Sequence, residues 1–209
     1  RRATSAAHAF IPDDADLASL ARAVQGCQGC PIHERATQAV FGEGPIDARL
    51  VLVGEQPGDE EDLAGHPFVG PAGKVLDEAL VAAGVDRSRV YLTNAVKHFK
   101  WEPRGKRRLH SRPNPVEVHA CRGWLDAELA LVKPEVVVCL GSTSARALLG
   151  RTFRTSAHRG EVLDGAPWAR SIVVTHHPAV VLRVETAAEA DDARTVLARD
   201  LALAASLCA

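Results

Sequence analysis

Cysteines are the first residues in this sequence that could carry chemistry. Cys27 and Cys30 are separated by two residues in GCQGCP, and Cys121 opens the segment CRGWL. Cys139 lies inside the apolar run VVVCLG, which is typical of a core side chain, and Cys208 is a poor anchor one residue from the last position. Five unevenly spaced cysteines do not suggest a disulfide framework. We therefore expect the first three to bind a metal or a metal cluster.

A glycine- and proline-rich segment is the second candidate for chemistry. It reads GEQPGDEEDLAGHPFVGPAG over residues 54–73 and joins a strand-like run to a helix-like run. Glycines let a ligand approach the backbone, and the helix that follows offers free amide donors. The segment matches neither GxxxxGK[ST] nor GxGxxG, and its acidic residues disfavour phosphate. Phe68 lies in this loop and not on an apolar stripe, so it is either a platform for a stacked base or a plug in the core.

A basic strip lies in the middle of the chain. Residues 97–112, KHFKWEPRGKRRLHSR, contain seven Lys and Arg residues against one Glu, although the whole chain has a formal net charge of −1. A local strip on a nearly neutral protein suits a negatively charged partner that is bound along a narrow track, such as a DNA backbone. A solvated basic loop is the alternative interpretation.

The elements that must position these residues alternate along the chain. With 209 residues, 46% of them hydrophobic, the chain can form one domain with a sizeable core over residues 1–209. We expect an α/β fold, with helices on both faces of a mainly parallel sheet and with reactive groups at the carboxyl ends of its strands. Apolar runs predict strands at 48–55, 89–96, 134–141 and 169–177, and helical patterns occupy 14–27, 73–84, 115–132, 142–150 and 189–207.

Hydropathy also bears on location and partners. No stretch approaches the roughly 20 apolar residues of a membrane span, and the arginines at the start are not followed by an apolar core of a signal sequence. We expect a cytoplasmic protein that acts as a monomer and has no membrane partner.

The order of five motifs resembles the iron–sulfur uracil-DNA glycosylases. The motifs are GE-x-PG, EDLAG-x-PFVG-x-AG, LTNAVK, C-x2-WL and HP-x-x-x-LR, and together with the cysteine pair the resemblance covers Cys27 to Arg183. The resemblance implies an enzyme that acts on uracil-containing DNA by flipping the base into a pocket. It further implies that the uracil stacks on Phe68, that the amide of Asn94 reads its edge, and that His177 lies at its O2, where negative charge develops.

The same resemblance assigns the residues around the first strand. Glu55 is the carboxylate that would support the oxocarbenium-like sugar left when the base departs. Gln56 stands where ordinary members of the family often have Gly or Ala, which puts the usual activation of water in doubt. Gly54, Asp59 and Lys97 are assigned to substrate binding by the same motifs.

The resemblance implies a [4Fe–4S] cluster. Ordinary members have a fourth cysteine after LTN-x-VK, whereas here LTNAVK is followed by His98. We therefore predict that Cys27, Cys30, His98 and Cys121 hold the cluster, with imidazole replacing one thiolate. Ligand types alone leave a tetrahedral zinc site as the alternative.

Ordinary members of the family have a shorter connection between the strand of Asn94 and the helix of Cys121, so we predict that residues 97–112 are a basic insertion loop. Its segment GKRRLH, residues 105–110, is similar to the loop that defines the UdgX type within this family. The similarity implies that His110 attacks C1′ of the deoxyribose and leaves a stable covalent bond to DNA. Arg107 and Arg108 would then hold the loop to the phosphate backbone or to the domain, and Leu182 is a candidate wedge in the base stack. Two alternatives stay open: a turnover glycosylase in which water attacks, and a non-catalytic iron–sulfur protein that binds or senses DNA.

Overall fold

A five-stranded sheet forms the centre of the computed structural model, which describes residues 5–208. The strands lie in the order β2 (Val90–Asn94), β1 (Leu50–Gly54), β5 (Val136–Leu140), β7 (Ala169–Thr175) and β6 (Val162–Ala166). The first four are parallel, and β6 pairs antiparallel with β7 at one edge. Every residue of β1, β2 and β5 is buried, which explains their continuous apolar sequences.

Helices cover both faces of the sheet. Along β1, Leu50 and Leu52 pack with α3 (Pro71–Ala82) and α6 (Ala187–Ser206) on one face. Val51 and Val53 pack with α4 (Pro115–Val132) and α5 (Ser142–Leu149) on the other, because successive side chains of a strand point to opposite faces. The α-helices are α1 (Leu17–Ala23), α2 (Asp59–Ala64), α3 (Pro71–Ala82), α4 (Pro115–Val132), α5 (Ser142–Leu149) and α6 (Ala187–Ser206). Short 3₁₀ helices occupy Ala6–Phe10, Val24–Gly26, Pro31–Glu34, Arg87–Arg89, Thr155–Ala157 and Pro178–Val180.

The predicted fold class is confirmed, and each predicted strand lies within two residues of an observed one. Two features were not predicted. The edge strand β6 has the sequence VLDGA and is half exposed, so it lacks the apolar run on which the prediction depended.

None of the helices within residues 5–208 is long and apolar enough to cross a membrane.

The basic strip contains the second unpredicted feature. Strands β3 (Trp101–Arg104) and β4 (Arg107–His110) form an antiparallel hairpin where the sequence suggested an insertion loop. The hairpin turns at Gly105, whose φ of 60° suits the first central position of a type II′ turn. His110 is the last residue of β4, so its position depends on how this hairpin is attached to the domain.

Candidate active site

The carboxyl ends of the four parallel strands surround one large cavity of about 1120 Å³. In parallel sheets the loops at this edge come from different strands, so residues distant in sequence meet here. The cavity brings together most of the predicted site residues: Glu55, Gln56, Asp59, Phe68, Asn94, His110, His177 and Leu182 all line it.

Asn94, at the end of β2, is buried and has an unsatisfied oxygen. Its Oδ1 accepts no hydrogen bond from residues 5–208, which is uncommon for a buried polar atom and indicates a position for a ligand donor. Gly54 makes room for this amide, because a Cβ at that position would collide with Asn94 Oδ1 and come within 2.7 Å of the Phe68 ring. Gly54 therefore shapes the pocket without offering a side chain to the substrate.

Phe68 and His177 form two walls of the cavity. Their rings are 6.4 Å apart between centroids and inclined by 27°. Phe68 has a φ of 57°, a left-handed conformation that is rare for a large side chain, so the surrounding loop must hold it in place. Phe68 is buried and packs in the core, and it also lines the cavity, so the two roles expected for it are compatible.

His177 is a neutral hydrogen-bond donor. Burial lowers its pKa to about 4, and the nearby Glu55 carboxylate only partly opposes this effect. Its Nδ1 accepts a hydrogen bond from the backbone N–H of Ala179 at 3.1 Å. The proton of the neutral ring must therefore be on Nε2, which is free to donate to an anionic leaving group.

Glu55 is shared between His110 and two residues that the sequence analysis did not single out. One carboxylate oxygen, Oε1, is 3.1 Å from His110 Nε2. The other, Oε2, accepts hydrogen bonds from Arg112 Nε at 3.2 Å and from the hydroxyl of Thr143. Burial opposes ionisation, but the hydrogen bonds from His110 and Thr143 and the charge of Arg112 outweigh it and lower the pKa of Glu55 to about 2. Glu55 is thus ionised at neutral pH and faces His110.

Thr143 was missed although a usable signal existed. It lies in the GSTS segment that follows β5, and polar groups at the carboxyl end of a buried parallel strand are candidates for function. Arg112 gave no such signal, because nothing in the strip distinguishes it from the other arginines.

Gln56 fastens the hairpin to the domain. Its Nε2 donates to the carbonyls of Lys100 at 3.1 Å and Ser111 at 3.2 Å, and its Oε1 accepts from Lys100 N at 3.1 Å. These two residues flank the hairpin on either side. These contacts use the nitrogen and the oxygen of the Gln56 amide, so Gln56 positions the strand that bears His110, and its catalytic role stays a prediction.

Arg108 makes a second attachment. It forms ion pairs with Asp59 at 2.5 Å and Asp62 at 2.6 Å, and its guanidinium lies over the rings of Phe99 and Trp101, each at 5.6 Å. Of the two partners predicted for this arginine, the domain is the one observed. Asp59 accordingly anchors the hairpin at the edge of the cavity, and its predicted contact with the substrate stays a prediction.

Arg107 shows the opposite behaviour. Its side chain is exposed and forms no ion pair within the part of the chain that the structure describes. It is free to contact a phosphate.

Lys97 was predicted to contact the substrate, but it does not line the cavity. Its ammonium is fully buried and donates to Glu128 at 2.5 Å, to Thr93 at 2.7 Å and to the carbonyl of Asn94 at 2.8 Å. A group with no exposed surface cannot reach DNA, so the prediction of direct contact is wrong for this conformation. Lys97 instead supports the backbone of Asn94.

Substitution of Lys97 by Met is expected to destabilise the fold by about 3–5 kcal/mol, since Glu128 would keep a buried and unpaired charge. Urea unfolding measures the loss. The matched control is the double variant Lys97→Met, Glu128→Gln, which removes both charges but keeps an oxygen that accepts from Gly42 N–H and the Tyr91 hydroxyl, and it should recover most of the stability. Equal losses in the single and double variants would show that the ion pair is not the cause.

Comparison with known proteins agrees with this arrangement. The model of the uracil DNA glycosylase superfamily matches residues 41–202, which include the cavity and both attachments of the hairpin. The chain belongs to the uracil DNA glycosylase superfamily.

Curated members of this superfamily are similar over most of their length. A protein of Thermotoga maritima named type-4 uracil-DNA glycosylase is 39% identical over 77% of the chain and 80% of its own length. One of Pyrobaculum aerophilum with the same name is 38% identical, covering 80% and 85%. A type-5 uracil-DNA glycosylase of Thermus thermophilus is 34% identical, covering 66% and 68%. The chain is thus related to both types.

Three of the four predicted cluster ligands, Cys27, Cys30 and Cys121, lie together in the fold. Burial raises the pKa of Cys121 to about 12, and the nearby Cys30 and Cys27 add to the effect while Lys97 opposes it. Two of the sulfurs already accept hydrogen bonds: Cys27 Sγ from Trp124 Nε1 at 3.2 Å, and Cys121 Sγ from the backbone N–H of Lys97 at 3.3 Å. N–H bonds to sulfur are a recurrent feature of cluster-binding thiolates.

His98, the fourth predicted ligand, is connected to Cys30 through His33. It is buried, and its ring is 6.5 Å from that of His33, which in turn contacts the carbonyl of Cys30 at 2.6 Å. Burial, together with His33, lowers the pKa of His98 to about 4, which leaves it neutral and able to act as a ligand.

A single metal ion is a poor fit to these residues. Within residues 5–208, no three His, Cys, Asp or Glu side chains are arranged to hold one ion. Cys139 is fully buried in β5 and Cys208 lies at the end of α6, so neither is available as a further ligand.

Proposed function

We propose that this chain excises uracil from DNA and is then captured on the product by a covalent bond between His110 and C1′ of the deoxyribose. The similar proteins named uracil-DNA glycosylases support the first part. The observation that carries the second part is the 3.1 Å contact between His110 Nε2 and Glu55 inside the cavity that also contains Asn94. A nucleophile, its orienting carboxylate and a base-reading amide thus share one space.

Base recognition follows from the polar groups of the cavity. The unsatisfied Oδ1 of Asn94 can accept from uracil N3–H, while its amide nitrogen donates to O4. Phe68 supplies an apolar face for stacking. As the glycosidic bond breaks, negative charge develops on the base, and the neutral His177 donates from Nε2 to O2.

Capture follows from the pairing of Glu55 with His110. The carboxylate is ionised and can accept the N–H of the imidazole, which leaves the lone pair of the other ring nitrogen free to attack. That nitrogen forms a bond to C1′ as the bond from C1′ to the uracil nitrogen breaks, and the electron pair leaves with the uracil. The positive charge of the alkylated imidazole is offset by Glu55.

A turnover glycosylase is the second candidate, because the similar type-4 proteins are named simply as glycosylases. The two functions differ in one experiment. Protein is mixed with a uracil-containing oligonucleotide, heated in denaturant and resolved on a denaturing gel. Capture predicts a shifted band of equal stoichiometry, and turnover predicts excess abasic product without a shift. A protein that yields neither would contradict both.

We further propose that Cys27, Cys30, His98 and Cys121 hold a [4Fe–4S] cluster. The cluster would join the N-terminal segment, the loop after β2 and α4, and its chemistry when bound is that of a structural cross-link. These residues lie outside the cavity lining, so they take no direct part in the reaction.

The purified protein is expected to be brown and to contain iron and inorganic sulfide. His98→Ala should lower iron content and thermal stability, because it removes one of four ligands, whereas His98→Cys should retain iron. Elemental analysis and visible absorbance measure both variants. Native protein that contains zinc and no sulfide would overturn the assignment.

A further inference from the structure

The two arginines of the basic strip nearest the cavity are already neutralised by the protein. Arg108 pairs with Asp59 and Asp62, and Arg112 pairs with Glu55. Their guanidinium groups already donate to carboxylates of the protein, so a phosphate would compete with contacts that hold the hairpin and Glu55. The strip therefore offers fewer unpaired cations to a DNA backbone than its composition suggests, and other cations must contribute.

Such cations lie at the other end of the same cavity. The wall beside β1 carries the acidic residues of α2, but the wall beside β6 and β7 is formed by residues 150–160 and is basic. Four arginines without a carboxylate partner among the described residues line the cavity, and they are Arg146, Arg154, Arg159 and Arg183. Two of them, Arg154 and Arg159, are exposed and flank a single turn of 3₁₀ helix.

This segment is fixed to the domain. The N–H of Gly160 donates to the carbonyl of Val174 in β7 at 2.9 Å. The rings of Phe153 and His158 stack at 5.1 Å, and His158 Nδ1 is 2.9 Å from Glu161. The backbone that carries the two arginines therefore has a set position relative to the strand that leads to His177.

Two buried polar atoms on this wall have no partner. Thr155 Oγ1 and His176 Nε2 accept or donate no hydrogen bond within residues 5–208, and both residues line the cavity. His176 is only 8% exposed. Burial lowers its pKa, and Arg159 acts in the same direction, which places that guanidinium near the imidazole. Unsatisfied polar groups beside unpaired arginines indicate that a polar ligand completes this wall.

We propose that Arg154 and Arg159 bind the phosphate backbone of the DNA strand that carries the target nucleotide, with Thr155 and His176 completing the polar wall. The inference rests on the proposed function, because it takes DNA as the ligand. Guanidinium groups match phosphate oxygens in charge and geometry, whereas an uncharged pyrimidine needs no cation. The strand would cross the cavity from the hairpin to residues 150–160, with the flipped base between them.

The salt dependence of DNA binding tests the proposal without requiring uracil excision or adduct formation. A fluorescent single-stranded oligonucleotide that lacks uracil is titrated with protein at several salt concentrations, and anisotropy gives the affinity. The double variant Arg154→Ala, Arg159→Ala should bind roughly 25-fold more weakly at about 0.1 M salt, with a salt slope reduced by about 1 to 2. Replacement of both residues by Lys should restore most of the slope.

The matched control is the double variant Arg22→Ala, Arg89→Ala. It removes the same charge from exposed positions that do not line the cavity, in α1 and just before β2. It should bind as the wild type does. A wild-type slope in Arg154→Ala, Arg159→Ala, or an equal loss in the control, would overturn the proposal.

The two proposals fail in different ways. If the wild type neither releases uracil nor forms an adduct, the proposed function is wrong, yet the difference in salt slope can still be measured. If the adduct forms but the double variant Arg154→Ala, Arg159→Ala keeps the wild-type salt slope, only the proposal that these arginines bind phosphate is wrong.

Discussion

Replacement of His110 by Gly is expected to abolish the heat-stable complex with uracil-containing DNA and to turn the protein into a turnover glycosylase. Glu55, Asn94 and His177 would still drive departure of the base, because Glu55 keeps its hydrogen bonds from Arg112 and Thr143 when the imidazole is removed, and the other two residues are held by contacts of their own. Water can enter the space left by the ring and capture the sugar cation. The adduct should fall below detection on a denaturing gel, and free uracil should accumulate beyond one equivalent.

The control for this variant is Leu109→Gly, the neighbouring and partly exposed residue of β4. It disturbs the hairpin by the same kind of change but leaves the imidazole, so an adduct should still form. Mass spectrometry of tryptic peptides from the wild type should place the deoxyribose on His110. A stable adduct in His110→Gly, or a modified peptide from another part of the chain, would contradict covalent capture.

Replacement of Asn94 by Asp is expected to lower uracil excision by roughly 10³-fold or more, the range seen when a donor to a developing charge or to a required polar group is lost. The carboxylate can no longer donate to uracil O4, and its charge repels the base as that becomes anionic. Single-turnover release of uracil measures the effect. Adduct formation should fall in parallel, since capture requires the bond from C1′ to the uracil nitrogen to break.

A change next to Asn94 provides the comparison. Thr93→Val keeps the shape of the buried side chain but removes a hydroxyl that contacts Lys97 and Glu128 and does not line the cavity. It should reduce stability more than it reduces the rate in folded protein. Excision at the wild-type rate by folded Asn94→Asp would remove Asn94 from base recognition.

The sheet was predictable from the sequence because its central strands are buried on both faces. Runs such as LVLVG and VVVCL admit few other interpretations, and the residues that follow them must meet at one edge. The positions of Asn94 and His177 follow from that rule. Strand β6 was not predictable in the same way, because an edge strand with one exposed face carries no continuous apolar signal.

The partners of charged residues were the part that sequence could not specify. Lys97, Arg108 and Arg112 all lie in one basic strip, yet the first is buried, the second anchors a hairpin and the third contacts the catalytic carboxylate. Composition reports the sum of their charges but not the acids that approach each of them in space. Glu128, Asp62 and Glu55 come from three other segments, and only the folded chain brings them into contact.

The hairpin that bears His110 is attached to the domain through Gln56 and Arg108, whereas Asn94 lies at the end of β2. On the proposed function, the time that the protein stays on DNA and its choice of base are therefore governed by separate parts of the molecule. A variant with a weakened hairpin attachment would leave its product sooner without accepting a different base.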